Sequence, residues 1–213
     1  LPDVAPIRQG TVPNEGLGST SLTLIRHGQT EWSLSGRHTG RTDIGLTERG
    51  EDEARALVPA LAAMRFDHVL TSPARRARRT CALSGLGASA DVEPDLAEWD
   101  YGAYEGRCSA DIRLDRPGWN VYRDGCPGGE DAEQVSERAD RLIARLAALG
   151  GAIALFSHGQ FGCSLGARWI GLTVSQGQHF LLGTASISVL GVNPSHPDIR
   201  VIAGWNSVPG AGR

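Results

Sequence analysis

The sequence predicts a three-layer α/β/α sandwich built on a mostly parallel central sheet. Three observations predict it. Short apolar runs that stop at glycine-containing loops alternate with longer stretches of helical periodicity. The resulting order, strand then helix repeated three times and closed by strands, is that of a parallel sheet with crossover helices. Two of the apolar runs also stop at the same dipeptide, His27-Gly28 and His158-Gly159. In such sheets ligands bind beyond the carboxyl ends of the strands, and this topology can set the two dipeptides side by side.

Taken in order, residues 1–20 hold Pro2, Pro6, Pro13, Gly10, Gly16 and Gly18 and read as an irregular arm ahead of a single domain over 21–213. Residues 21–26 (SLTLIR) form a buried strand that ends at His27. Thr47 caps a helix whose inner face carries Ala54, Leu57, Val58, Leu61 and Ala62 at i, i+3, i+4, i+7, i+8 spacing. A second strand covers 68–71. Ser72-Pro73 then starts a helix, with the hydroxyl at the N-cap and the proline in the first helical position. That helix carries Arg75, Arg76, Arg78 and Arg79. A short strand over 91–93 leads to LAEWDYGAYEG, and residues 102–130 read as an irregular cap rich in Gly, Pro and Trp. A long helix over 131–149 buries Val135, Ala139, Leu142, Ile143 and Leu146. Strands over 153–157, 187–192 and 199–204 complete the sheet, with a helix soon after His158-Gly159.

Composition narrows the function classes. With 21 Lys and Arg against 24 Asp and Glu, the net charge is −3, which gives no global attraction to nucleic acid or an anionic membrane. No apolar run reaches the roughly 18 residues of a membrane span, and residues 1–20 lack the layout of a signal peptide. The chain begins at Leu1 rather than Met, which leaves a removed leader open. Cys81, Cys108, Cys126 and Cys163 match no zinc spacing and read as reduced thiols, pointing to the cytoplasm. The six histidines include no pair at helical i, i+4 spacing, so no metal site is predicted.

Four groups can carry chemistry. His27 follows a buried strand. Arg26 beside it offers a planar donor fork suited to phosphate oxygens, and Gly28 lets the backbone approach a ligand. His158 is the second strand-end imidazole. The arginine helix opens at a place where backbone N–H groups and the helix dipole favour an anion, and either Arg75 or Arg76 could turn inward. Glu98, packed beside Trp99 and Tyr101, would be shielded from solvent in a way that suits a general acid. Asp100 and Glu105 compete for that role.

LTLIRHGQTEW (22–32), HTGRTDIGLTERG (38–50), LTSPARRARRT (70–80), LAEWDYGAYEG (96–106) and LFSHGQ (155–160) together resemble, in order, the signature blocks of the histidine phosphatase (phosphoglycerate mutase-like) superfamily. Trp32-Ser33 and GCPGGE (125–130) are similar to its acid phosphatase and sedoheptulose-bisphosphatase members. The resemblance implies that His27 accepts the phosphoryl group and that Arg26, Arg76 and His158 bind it. Arg76 is favoured over Arg75 because it directly precedes the Ala77 of R-A-x-x-T. The resemblance further implies that Glu98 protonates the leaving group and that Thr39, Ser33 and Gly159 lie around the phosphate or substrate. Ser33 departs from the asparagine that many relatives carry there. The implied activity is cofactor-free, metal-independent hydrolysis of a small phosphorylated metabolite, sugar phosphates first. The alternatives are a bisphosphoglycerate-dependent mutase and a non-catalytic phospho-ligand module. Arg37, His38 and Arg41 could meet a second anionic group, and Trp99, Trp119, Tyr122 and Arg123 could line the mouth of the site. Many members of the family are dimers, so a homodimer is open.

Overall fold

The computed structural model describes residues 20–209. The arm expected before the domain lies outside them, apart from Thr20, and so do residues 210–213. The elements run β1 (Ser21–Arg26), α1 (Glu31–Ser35), α2 (Glu48–Ala56), α3 (Val58–Ala62), β2 (His68–Thr71), α4 (Arg75–Leu83) and β3 (Ala90–Val92). They continue α5 (Ser109–Asp115), α6 (Val121–Asp124), α7 (Ala132–Leu149), β4 (Ala152–Ser157), α8 (Gly159–Trp169), β5 (Ile187–Asn193) and β6 (His196–Ser207).

The six strands form one sheet in the order β3-β2-β4-β1-β5-β6. β1, β2, β3 and β4 are mutually parallel, while β5 runs antiparallel to β1 and β6 antiparallel to β5. Alternation along the central strands assigns the two faces. Leu22, Leu24, Ile153 and Leu155 join the core under α7 and α8, while Ile25, Ala154 and Phe156 join the core that holds Leu57, Leu61 and Cys81. Each fully buried aliphatic side chain contributes about 1.5–3 kcal/mol, so the adjacent central strands β1 and β4 form the most strongly fixed part of the molecule. Their register pairs Arg26 with Ser157, which brings His27 and His158 out of the sheet side by side.

Several local expectations need correction. The helix opened by Thr47 does not run through 62. It breaks at Leu57, because Pro59 in the first turn of α3 cannot donate the hydrogen bond a continuous helix requires. Ala54, Leu57 and Leu61 stay buried, but the jog turns Val58 and Ala62 outward. Ser72 is not an N-cap: α4 starts at Arg75 after Ala74, without a side-chain cap. The third strand lies one residue earlier than expected, and β6 is longer at both ends. The segment 102–130 contains two short helices, α5 and α6, rather than irregular chain alone. Among the described residues, no helix is long and apolar enough to cross a membrane.

Candidate active site

The loop that carries His27 begins where β1 ends. The His27 backbone N–H donates to Ser157 O (3.0 Å) and its carbonyl accepts from Ala185 N (3.2 Å), so the end of β4 and the turn before β5 hold it. Its ring Nδ1 lies 2.7 Å from Gly28 O. A carbonyl only accepts, so Nδ1 carries the proton and the Nε2 lone pair is left free. Nε2 has no hydrogen-bond partner among the described residues. Burial, reinforced by the charges of Arg26 and Arg76, holds this imidazole well below its usual pKa against the smaller opposing pull of the Gly28 carbonyl. The ring is therefore neutral at physiological pH.

Gly28 is needed for a different reason than close approach to a ligand. A Cβ there would stand 2.2 Å from Gly50 O, and one on Gly50 would stand 2.0 Å from Gln29 O. The loop after His27 and the first turn of α2 thus meet backbone to backbone through two glycines.

Three cationic or imidazole groups surround His27. Arg26 donates to Leu182 O, and its Nε–H is buried without a partner among the described residues. A sealed, unpaired donor on a guanidinium is costly, which marks this face of Arg26 as one that an anion would satisfy. Arg76 is the member of its helix that turns inward, fully buried, while Arg75, Arg78 and Arg79 are exposed. Its fork reaches Thr42 O (3.2 Å), Thr39 O (2.9 Å) and Gly40 O (3.1 Å), so it also shapes the 39–42 loop. His158 is fully buried, with its ring centroid 5.2 Å from that of His27. Arg76 Nε–H donates to His158 Nδ1 (3.2 Å), which leaves the proton on Nε2, 2.7 Å from Ser72 Oγ. His158 is thereby fixed as the neutral tautomer opposite to that of His27. Burial and the charge of Arg76 hold its pKa well below the usual value.

Glu98 meets this group from the loop before the cap. Its carboxylate accepts from Trp99 N (2.8 Å), Gln160 N (3.0 Å) and Phe161 N (2.7 Å). The last two are first-turn donors of α8, a helix whose own N-cap residue, His158, gives no side-chain cap. The carboxylate therefore rests on a helix N-terminus, not against a bare aromatic wall. The positions of Gly159, Arg26 and Glu98 agree with this arrangement: a Cβ on Gly159 would touch Arg26 Nε at 3.5 Å and Glu98 Oε2 at 3.7 Å.

The sequence profile of the histidine phosphatase superfamily (branch 1) matches residues 22–204. The chain belongs to that superfamily. It is 41% identical over 180 residues to an acid phosphatase of Mycobacterium tuberculosis, covering 83% of this chain and 88% of the relative. It is 36% identical over 186 residues to sedoheptulose 1,7-bisphosphatase of Saccharomyces cerevisiae, covering 72% and 68%. The solved structure of a Mycobacterium tuberculosis open reading frame superposes with a TM-score of 0.82 at 37% identity, over 89% of this chain and 98% of that one.

Within this histidine phosphatase, the structure brings His27, Arg26, Arg76, His158 and Glu98 together and places other candidates apart from them. Ser33 Oγ accepts from Thr30 N (2.8 Å) and lies 3.0 Å from Thr30 O, closing a reciprocal cap on α1. That local bonding takes the hydroxyl away from a ligand. Thr39 contributes its carbonyl to Arg76, and its hydroxyl turns to Arg37 O (3.2 Å). Glu105, a rival to Glu98, accepts from Gly40 N (2.8 Å) and Thr42 N (3.2 Å). Asp100, the other rival, pairs with exposed Arg41 at 2.7 Å. His38 does not face a ligand: it is buried, stacked on Tyr101 at 4.5 Å, and burial lowers its pKa to about 4. Arg37 is exposed. Trp99 and Trp119 are buried and pack the cap, Tyr122 lies edge-on to Trp99 at 5.8 Å, and exposed Arg123 bonds Asp124 and Gly118 O.

A cavity of about 500 Å³ opens beside Ser72 and Glu98, bounded also by Gly40, Arg41, Asp43 and Asp100. His27 and Arg26 do not line it, so it adjoins the histidine pair rather than containing it. Sequence reasoning missed Ser72 as the partner of His158, and it missed Arg138 and Glu130. Arg138 could have been found. It stands three residues after Val135 and four before Leu142, on the apolar face of α7, where a charge is buried and must be paired.

Proposed function

We propose that this protein is a metal-independent phosphomonoester hydrolase that works through a phosphohistidine on His27, with small phosphorylated metabolites, sugar phosphates foremost, as substrates. The observation that carries the reading is the neutral His27 ring, its proton held on Nδ1 by Gly28 O and its Nε2 free beside Arg26 and Arg76. Nε2 attacks phosphorus, the N–P bond forms and the ester O–P bond breaks. Arg26, through its unpaired Nε–H, and Arg76 meet the charge on the phosphoryl oxygens from fixed positions. Glu98, which enters the cycle as the protonated acid, gives its proton to the departing alcohol. It then takes one from the water that cleaves the N–P bond, returning both groups to their starting state. His158, held by Arg76 and Ser72, keeps a neutral ring beside the reacting histidine, and its Nε2–H, which donates to Ser72 Oγ in the free site, is the group that turns to the phosphoryl oxygens.

Names of relatives support hydrolysis of phosphate esters, since two of them are an acid phosphatase and a sedoheptulose bisphosphatase. The cap supports hydrolysis over mutase chemistry. Its arginines are engaged within the cap: Arg107 with Asp115, Arg113 with Trp119 O, Arg116 with Tyr104 Oη and Arg123 with Asp124. The deciding experiment quenches the enzyme during turnover of p-nitrophenyl phosphate in EDTA and looks for an acid-labile, base-stable phosphoenzyme that maps to His27. Phosphate release without such an adduct, or release that stops in EDTA, would reject the proposed route. A panel of sugar phosphates then ranks substrates, and interconversion of phosphoglycerates without phosphate release would favour the mutase.

A further inference from the structure

We propose that Arg138 is a positioning residue for Glu98, acting together with Glu130. The inference rests on the reading of Glu98 as general acid. Arg138 lies on the buried face of α7 at 8% exposure, and all five of its N–H groups find acceptors. Nε donates to Glu130 Oε1 (2.8 Å), one terminal nitrogen to Asp95 O (2.9 Å) and Ala97 O (2.8 Å), and the other to Glu98 O (3.4 Å) and Glu130 Oε2 (2.8 Å). Three carbonyls of the chain that carries Glu98 thus converge on one guanidinium.

The same pair holds the chain beyond Glu98. Glu130 Oε2 accepts from Asp100 N (2.9 Å), and Glu130 O accepts from the Trp99 indole N–H (2.9 Å). The guanidinium carbon also lies 4.1 Å from the centroid of the Phe161 ring, and Phe161 N–H is one of the donors to the Glu98 carboxylate. One planar cation therefore touches the backbone on which Glu98 stands and the helix turn on which its carboxylate rests. A buried ion pair adds little net stability compared with apolar packing, but it fixes geometry. A proton donor is only as good as its distance from the leaving oxygen.

The test compares an alkyl phosphate, whose leaving group needs a proton, with p-nitrophenyl phosphate, whose leaving group does not. Arg138→Lys keeps a cation but loses the planar fork. It is expected to lower kcat on the alkyl ester about tenfold or more and on the aryl ester less than about threefold, a fraction of the full general-acid effect. In a Glu98→Gln background the same change should leave the alkyl-to-aryl ratio unmoved, because the acid that Arg138 positions is gone, and a ratio that still shifts there would overturn the positioning role. Glu130→Gln, which leaves Arg138 in place, is read in the same way should Arg138→Lys fail to fold, with thermal melts confirming folded protein. Equal losses on both esters in these variants, while Glu98→Gln still discriminates, would overturn the positioning role and leave the acid standing. A Glu98→Gln that loses both equally would overturn the acid reading and this inference with it.

Discussion

The ends of β1 and β4 look alike in sequence and behave differently in the structure. Each delivers a histidine followed by glycine from a buried strand, and the strands are neighbours in register. At β1 the ring is tied by one nitrogen to a backbone carbonyl and the other is left free. At β4 both nitrogens are taken, one by Arg76 and one by Ser72. The dipeptide therefore supplies an imidazole at a strand end, and its neighbours decide whether that imidazole can attack. A carbonyl partner fixes a tautomer and leaves a lone pair, whereas an arginine and a serine together fix the opposite tautomer and leave none.

Removing each ring in turn tests that contrast most strongly. His27→Ala is expected to lower kcat by four orders of magnitude or more, as loss of a nucleophile does. His158→Ala is expected to lower it by about 10²–10³, as loss of a binding group does. Steady-state rates with p-nitrophenyl phosphate check both, and equal losses would erase the distinction.

Acid should be felt next. His27, His158 and His38 all have folded-state pKa values below their unfolded ones. Below about pH 6.5 the unfolded chain binds protons that the folded chain refuses, so stability falls as pH falls. His38 alone, with a folded pKa of about 4, should contribute about 2 kcal/mol of that loss between pH 7.5 and pH 5. Urea titrations at pH 7.5 and 5 measure it, and a His38→Gln variant should show a shallower pH slope than the parent. Ser72→Ala leaves the buried His158 Nε2–H without its acceptor, at a cost of about 1–3 kcal/mol and a few-fold in kcat. The smallest effect belongs to Arg78→Ala. This exposed neighbour of Arg76 on α4 should change stability by less than about 0.5 kcal/mol.

Elements governed by a single local rule were legible in the sequence. β1 and β4 were readable because unbroken apolar runs bury on both faces. α7 was readable because its apolar positions repeat with helical period, and Asp131 caps it as that pattern demands. Positions where a side chain had two claims on it were not legible. Ser72 had the composition of a helix cap, but its hydroxyl serves His158, at the end of the neighbouring strand and far away in sequence. Ser33 had the place of a phosphate ligand, and its own helix took the hydroxyl. His38 looked like part of an exposed polar loop until Tyr101 and the cap residue Trp119 covered it. In the site, the identities of Arg76 and Glu98 came through the family likeness. Their partners could not, because Arg138 reaches the Glu98 carbonyl only through the packing of α7 against the 95–100 chain, and Glu130 acts through Arg138 and the residues after Glu98.

The paired glycines behind His27 have a consequence for anyone who wishes to redesign this enzyme. Gly28 and Gly50 touch main chain to main chain, and neither can gain a methyl group without driving it into a carbonyl oxygen. No second substitution can relieve a clash with backbone, so a library that varies both positions should return the parental pair. A transplanted His27 loop should keep its shape only when the first turn of α2 travels with it. The two segments, far apart along the chain, are inherited as one part.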